Sequence, residues 1–215
     1  MQTVYDYQKE GQLNSYQEVI LKSGSPRRRE LLDFLRPQVL VESLDERAIE
    51  ERYMAKYQQD PYIERVAKTC CEIAKEKIGN DLKELCLYIA ADTVVVHHDQ
   101  IYHKPKDDQE AYSMLRSYFG KTHYVITAVC MRQKEYLDSF YCVTAVTFVP
   151  YYPDLEAPIR AYIQSGSCLD KSGAYGIQEL DPRFVASIEG DIHTVIGLPV
   201  AELSRRLNFG KSFFV

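Results

Sequence analysis

Behind the short apolar run Val19-Ile20-Leu21 come Ser23-Gly24-Ser25-Pro26 and then three arginines in a row, Arg27, Arg28 and Arg29. Ser25 is a good helix N-cap, and Pro26 suits the first helical position, where its missing N–H is not needed. Leu31, Leu32 and Leu35 follow at helical spacing. The stretch therefore reads as strand, loop and helix. Cations in a first helical turn oppose the helix dipole, so three of them require a reason. Free backbone N–H groups, a serine–glycine loop and an arginine cluster together suit an anion, most plausibly a phosphate. A solvated basic turn has the same appearance.

Asp92 interrupts Tyr88-Ile89-Ala90-Ala91 and Thr93-Val94-Val95-Val96, a run otherwise fit for a core strand. A carboxylate in such a place must be paired, protonated or bound to a metal, unless it reaches solvent at the strand end. Glu46, in the acidic turn Asp45-Glu46, offers a second carboxylate. Two carboxylates near a phosphate suit Mg²⁺, a hard cation that prefers oxygen ligands and keeps waters. Lys104 stands beside Pro105, which fixes the chain next to it. Gln178 follows a glycine-rich turn, and its amide matches the donor–acceptor edge of an imide base. P-loop, dinucleotide and zinc motifs are missing from the sequence.

The elements that must position these groups alternate. Val39-Leu40-Val41 reads as a short strand, and residues 48–60 as a helix or a loop. Residues 61–78 form a clear helix, with Ile63, Val66, Ala67, Cys70, Ile73, Ala74 and Ile78 on one stripe. Residues 85–96 read as a buried strand, and His97-His98-Asp99-Gln100 as a turn into a return strand. A helix follows the Lys104 segment and stops at Gly120. Residues 124–131 and 136–149 form a long hairpin. A short helix spans 154–164, and 184–188 and 193–196 read as strands. Pro199 starts a last helix. This order predicts an α/β protein with a mixed sheet and two lobes. Residues 1–15 look like a loose extension, and 16–215 like one domain.

Composition sets outer bounds. Over 215 residues the formal net charge is -5, which argues against a general nucleic-acid binder. No apolar run is long enough for a membrane span, and the polar start lacks a signal-peptide core, so the cytoplasm is the expected location. The six cysteines lack Cys-x-x-Cys spacing and read as reduced core thiols. The five histidines form no ligand motif.

Taken in order, Ser23-Gly24-Ser25-Pro26-Arg27-Arg28-Arg29-Glu30-Leu31-Leu32, Ala91-Asp92-Thr93-Val94-Val95, Lys104-Pro105-Lys106-Asp107, Gly120-Lys121-Thr122-His123, residues 170–178, Ile188-Glu189-Gly190 and Val195-Ile196-Gly197-Leu198-Pro199 resemble the Maf-like nucleoside triphosphate pyrophosphatases, also called septum-formation inhibitors. The resemblance runs from about residue 19 to residue 207. It implies a Maf/ITPase-like α/β fold, with a mixed twisted central sheet flanked by helices and a deep cleft between two lobes. It implies hydrolysis of a nucleoside triphosphate to the monophosphate and pyrophosphate with a divalent metal, Mg²⁺ or Mn²⁺, usually by a homodimer. Asp92 would be the acidic catalytic residue and Glu46 its partner at the metal. Ser23, Arg28 and Lys104 would hold the phosphates. Arg27, Thr93 and Gln178 stand where subfamilies differ, and together resemble the branch acting on dTTP and UTP. Modified pyrimidine nucleotides, another base preference, or a weakly catalytic regulator of cell division remain as alternatives. One position departs from the pattern: Cys70 stands where the family usually has a lysine. On that basis the enzyme is expected to be slow for its family, and Cys70→Lys to raise kcat at least about tenfold. Lys56, Lys68 and Lys106 are the other lysines considered as substitutes for the missing charge.

Overall fold

The computed structural model describes residues 3–208. Its sheet is built from β1 (Val4–Glu10), β2 (Glu18–Leu21), β3 (Gln38–Val39), β4 (Cys86–His97), β5 (Gln100–Tyr102), β6 (Thr122–Gln133), β7 (Tyr136–Phe148) and β8 (Val185–Glu189). The order across it is β1-β7-β6-β4-β2-β3, with β5 beside β4 and β8 beside β7. β2 runs parallel to both β3 and β4, while β1 and β8 run antiparallel to β7. The helices are α1 (Pro26–Leu31), α2 (Glu46–Lys56), α3 (Tyr62–Ile78), α4 (Asp108–Tyr118), α5 (Glu156–Gln164), α6 (Ile192–Ile196) and α7 (Val200–Asn208). This is the mixed α/β architecture that the alternation predicts. Among the described residues no helix is long and apolar enough to cross a membrane. All six cysteines are free and buried.

Two compact units share the chain, with boundaries inside β4, β6 and β7. The first comprises Met1–Asp92, Thr127–Cys142 and Gly197–Val215. Its core joins Leu21, Ile89, Met131, Phe140 and Leu203, with a second cluster where Ala74 and Ile78 of α3 meet Ile20 and Tyr88. β4 is buried without a break from Cys86 to Asp92, as suits a strand covered on both faces. The stripe read on α3 is the buried one: Val66, Ala67, Cys70, Ile73, Ala74 and Ile78 all face inward. Each such aliphatic side chain contributes roughly 1.5–3 kcal/mol when fully buried. Of residues 48–60, which read equally as helix or loop, those up to Lys56 lie in α2, which Asp45 caps; its Oδ1 accepts from Ala48 N at 3.0 Å.

The N-terminal segment differs from the loose extension expected. Val4–Glu10 is a strand paired with residues 137–142 of β7. Tyr5 stacks on Tyr141 at 4.9 Å between ring centroids. The Tyr7 hydroxyl donates to Glu72 of α3, and Arg206 of α7 joins Asp6 to the buried Asp138. Local pattern misses this strand because what stabilises it is about 130 residues away along the chain.

The second unit comprises Thr93–Ile126 and Val143–Ile196. Leu115 and Tyr118 of α4 pack with Phe148, Ile159 and Phe184. The β4–β5 hairpin turns through His98 and Asp99, both at positive φ (50° and 52°), which two-residue hairpin turns of this hand require. Residues 193–196, expected as a strand, lie in helix α6. Asp191 starts that helix: its carbonyl accepts from Thr194 N and its carboxylate from His193 N, both at 3.0 Å.

Candidate active site

β2 has β3 on one side and β4 on the other, both parallel to it. The chain leaves β2 through α1 to reach β3, then through α2 and α3 to reach β4. The carboxyl end of β2 is thus a point where the strand order switches direction, the usual ligand position in an open α/β sheet. Ser23-Gly24-Ser25 lies there. Leu21 is in register with Ile89 and Lys22 N donates to the Ile89 carbonyl at 2.8 Å, so the loop continues toward the middle of β4, where Asp92 lies.

The loop is organised by its own side chains. Ser25 caps α1 as expected, its Oγ accepting from Arg28 N at 3.5 Å. Ser23 is buried, and its Oγ accepts from Ser25 N at 3.3 Å and from Arg28 Nη1 at 3.1 Å. Arg28 Nε donates to the Gly197 carbonyl at 2.9 Å, just before α7. The guanidinium is therefore held in place on two sides. A cavity of about 490 Å³ opens at this loop, lined by Ser23, Gly24, Ser25 and Arg29 together with the acidic Glu30 and Asp33. Ser23, which lines it, also accepts from Arg28 Nη1.

Asp92 is buried within β4 and is paired, one of the three outcomes the sequence allows. Lys77, in the last turn of α3, places its Nζ 2.9 Å from Asp92 Oδ1 and 3.1 Å from Glu46 Oε2. Glu46 is the first residue of α2 and is half-exposed. The Cys70 thiol donates to Asp92, and Arg28 is near enough for Asp92 and Glu46 to act on its charge. Burial by itself would raise the pKa of Asp92. Lys77, Arg28 and the thiol outweigh it and hold the carboxyl below the usual carboxylate range. Asp92 is thus an anion at neutral pH. Burial and the adjacent Asp92 push the Cys70 thiol well up, so it stays protonated.

Lys77 is the residue that sequence reasoning misses. Lys68 is occupied by Asp60 and Glu64, at 2.9 and 2.7 Å. Lys56 lies over the Tyr53 and Tyr57 rings, and Lys106 is exposed in the second unit. The charge absent at position 70 comes instead from position 77. The signal was available, since seven residues return to nearly the same helical face.

A divalent cation has a plausible donor set here. Asp92 and Glu46 converge on one cationic nitrogen, so their oxygens already meet at a single point. Among the described residues no set of three or more Asp, Glu, His or Cys side chains is placed to hold a metal ion, so these two carboxylates are the donors offered. That set suits Mg²⁺ or Mn²⁺, which take one or two carboxylates and complete their shell with water and substrate phosphate.

The remaining predicted residues belong to the second unit. Thr93 follows Asp92 in β4 and is half-buried. Lys104 is exposed beside the buried Pro105, and Gln178 is exposed after the glycine-rich turn. The structure ties their two segments together, because Gly173 N donates to the His103 carbonyl at 3.1 Å. Tyr118 donates to the Gly173 carbonyl at 3.0 Å. Lys171, which the sequence reading left out, is buried and bonds Asp170 at 2.8 Å and Glu179 at 3.0 Å.

Comparison with known proteins identifies the family. The family described as Maf-like protein matches residues 18–209. A dTTP/UTP pyrophosphatase of Shigella dysenteriae serotype 1 (strain Sd197) is 38% identical over 182 residues, covering 85% of this chain and 87% of that protein. The dTTP/UTP pyrophosphatase of Escherichia coli strain K12 shows the same identity and coverage. A nucleoside triphosphate pyrophosphatase of Shigella flexneri is 37% identical over the same span. With the serine–arginine loop and the buried aspartate in place and the family matched over most of its length, the chain belongs to the Maf-like protein family.

Proposed function

We propose that the protein is a nucleoside triphosphate pyrophosphatase that hydrolyses dTTP and UTP to the monophosphate and pyrophosphate. The observation that carries the reading is the buried Asp92 with Lys77 Nζ 2.9 Å away and Arg28 near it, next to the Ser23 loop at the carboxyl end of β2. Cations and a carboxylate in one place suit a reaction in which a phosphate must be gripped and water deprotonated. A divalent metal held by Asp92 and Glu46 would neutralise charge on the phosphates. Ser23 and Arg28 bind phosphate oxygens, Arg28 with its fork already oriented by Ser23 and Gly197. Asp92 orients the water and accepts its proton. The water oxygen bonds to the α-phosphorus, the α–β bridging bond breaks, and pyrophosphate leaves.

In this reading Arg27 and Thr93 are further contacts to the nucleotide, Lys104 takes phosphate charge, and Gln178 reads the base edge. An amide matches the imide of uracil or thymine, and a site built for one edge rejects others by leaving polar groups unpaired. That the relatives are named for dTTP and UTP supports the same choice. Residues 16–215 act as one Maf-like domain, to which β1 is joined through β7. Six free thiols fit the reducing cytoplasm, and the working form is a homodimer. The rival reading as a disabled regulator rests on the absent charge at position 70; Lys77 Nζ, 2.9 Å from Asp92, supports the catalytic reading over it.

The test is pyrophosphate release from a panel of nucleoside triphosphates with Mg²⁺ or Mn²⁺. dTTP and UTP are expected to show the highest kcat/KM. Equal values across the panel remove the base assignment, and no release from any nucleotide removes the activity.

A further inference from the structure

Cys70 and Lys77 lie two turns apart on α3, and both reach Asp92. Lys77 also reaches Glu46, so one ammonium bridges carboxylates from two elements, β4 and α2. Its side chain is largely buried, with 14% exposure, against 52% for Glu46. A lysine held this way has given up most of its rotamer freedom, which makes the bridge a fixed part of the site. Asp92 and Glu46 are also the pair that would take a divalent cation. The oxygens that face Nζ cannot face a metal as well, and two cations at that separation repel.

We propose that Lys77 is the resident counter-cation of the Asp92–Glu46 pair, holding the two carboxylates together and competing with divalent metal for them. The proposal deepens the pyrophosphatase reading, from which it takes the metal. It makes metal affinity a property set by α3: a cation on that helix lowers it, and a neutral side chain raises it. Arg28, another cation near the pair, is held through Nε by Gly197 and through Nη1 by Ser23.

The experiment is direct Mn²⁺ titration followed by the electron paramagnetic resonance of the free ion, without nucleotide. Wild type, Lys77→Met and Lys77→Arg are compared at equal folded fraction by circular dichroism. Lys77→Met keeps the long stem and is expected to bind Mn²⁺ at least about tenfold more tightly, since a like charge has been removed from beside the ion. Lys77→Arg keeps the charge and is expected to stay within about threefold of wild type on the same reasoning. If Lys77→Met does not fold, Lys77→Gln takes its place in the comparison. A neutral variant that is folded and binds Mn²⁺ no more tightly than wild type overturns the proposal. The nucleotide panel is run on the same wild-type preparation. A wild type that releases no pyrophosphate refutes the pyrophosphatase reading, while the Mn²⁺ affinities still decide the role of Lys77.

Discussion

The carboxylate cluster of the first unit and the glycine-rich loop of the second are built on opposite principles. Around Asp92 every neighbour is chosen by charge: Lys77 and Arg28 are cationic, Glu46 shares Lys77, and the Cys70 thiol donates. Around Gly173, beside its backbone hydrogen bonds to His103 and Tyr118, shape decides. A Cβ there would lie 2.6 Å from Val95 Cγ2 and 2.9 Å from the Tyr118 hydroxyl, at a φ of 75° that disfavours side chains anyway. At Gly176 a Cβ would meet the Lys171 stem at 2.7 Å. Charge balance fixes a protonation state and tolerates small shifts of position. Steric fit fixes a backbone path and does not depend on protonation. Substitutions in the two regions should therefore fail in different ways, one in rate and the other in stability.

The largest effect is expected at Asp92. Asp92→Asn is nearly isosteric but removes the anion, and kcat for dTTP should fall by about a hundredfold or more, the scale of losing a general base. The melting temperature should change little, because the amide still accepts from Lys77. A variant keeping more than about a tenth of the wild-type rate would remove Asp92 from the catalytic role. Next is Gly173→Ala. Overpacking and positive φ together should cost about 2–4 kcal/mol. For a chain this size that lowers Tm by roughly 4–16 °C in a thermal unfolding scan. An unchanged Tm would show that the loop is not held by sterics.

The smallest effect separates position 70 from position 77. With Lys77 already on Asp92, Cys70→Lys would add a second ammonium at a fully buried site beside Lys77 and Arg28. It should give no gain over Cys70→Ala, and both should lie within about tenfold of wild type, the scale of one lost hydrogen bond. This reverses the gain expected from sequence. If Cys70→Lys turns over dTTP faster than Cys70→Ala at matched folded fraction, the charge was wanted at position 70 after all.

What the sequence made legible was local. Ser25 and Pro26 announce α1 because caps act over a few residues. Asp92 stands out because a carboxylate in an apolar strand breaks a period. Lys77 was hidden because a lysine in a last helical turn is ordinary, favoured there by the dipole, and its partners arrive from two other elements. The helix at 192–196 was misread because five residues are too few to distinguish periods of 2 and 3.6; its cap, Asp191, was the better clue. β1 was invisible for the opposite reason, since its strand character depends on β7 and not on its own alternation.

That first strand has a consequence for the molecule's dealings with other chains. An outer strand offers unpaired N–H and C=O groups, a template on which a foreign strand can grow. β1 covers β7 from Leu137 to Cys142, and β8 covers it from Ala145 to Phe148. The long hairpin strand is thus closed to backbone recruitment over nearly its whole length. The opposite border of the sheet is β3, only two residues long. The open border on the hairpin side therefore passes from β7 to β1 itself, whose seven residues present the outer backbone ladder.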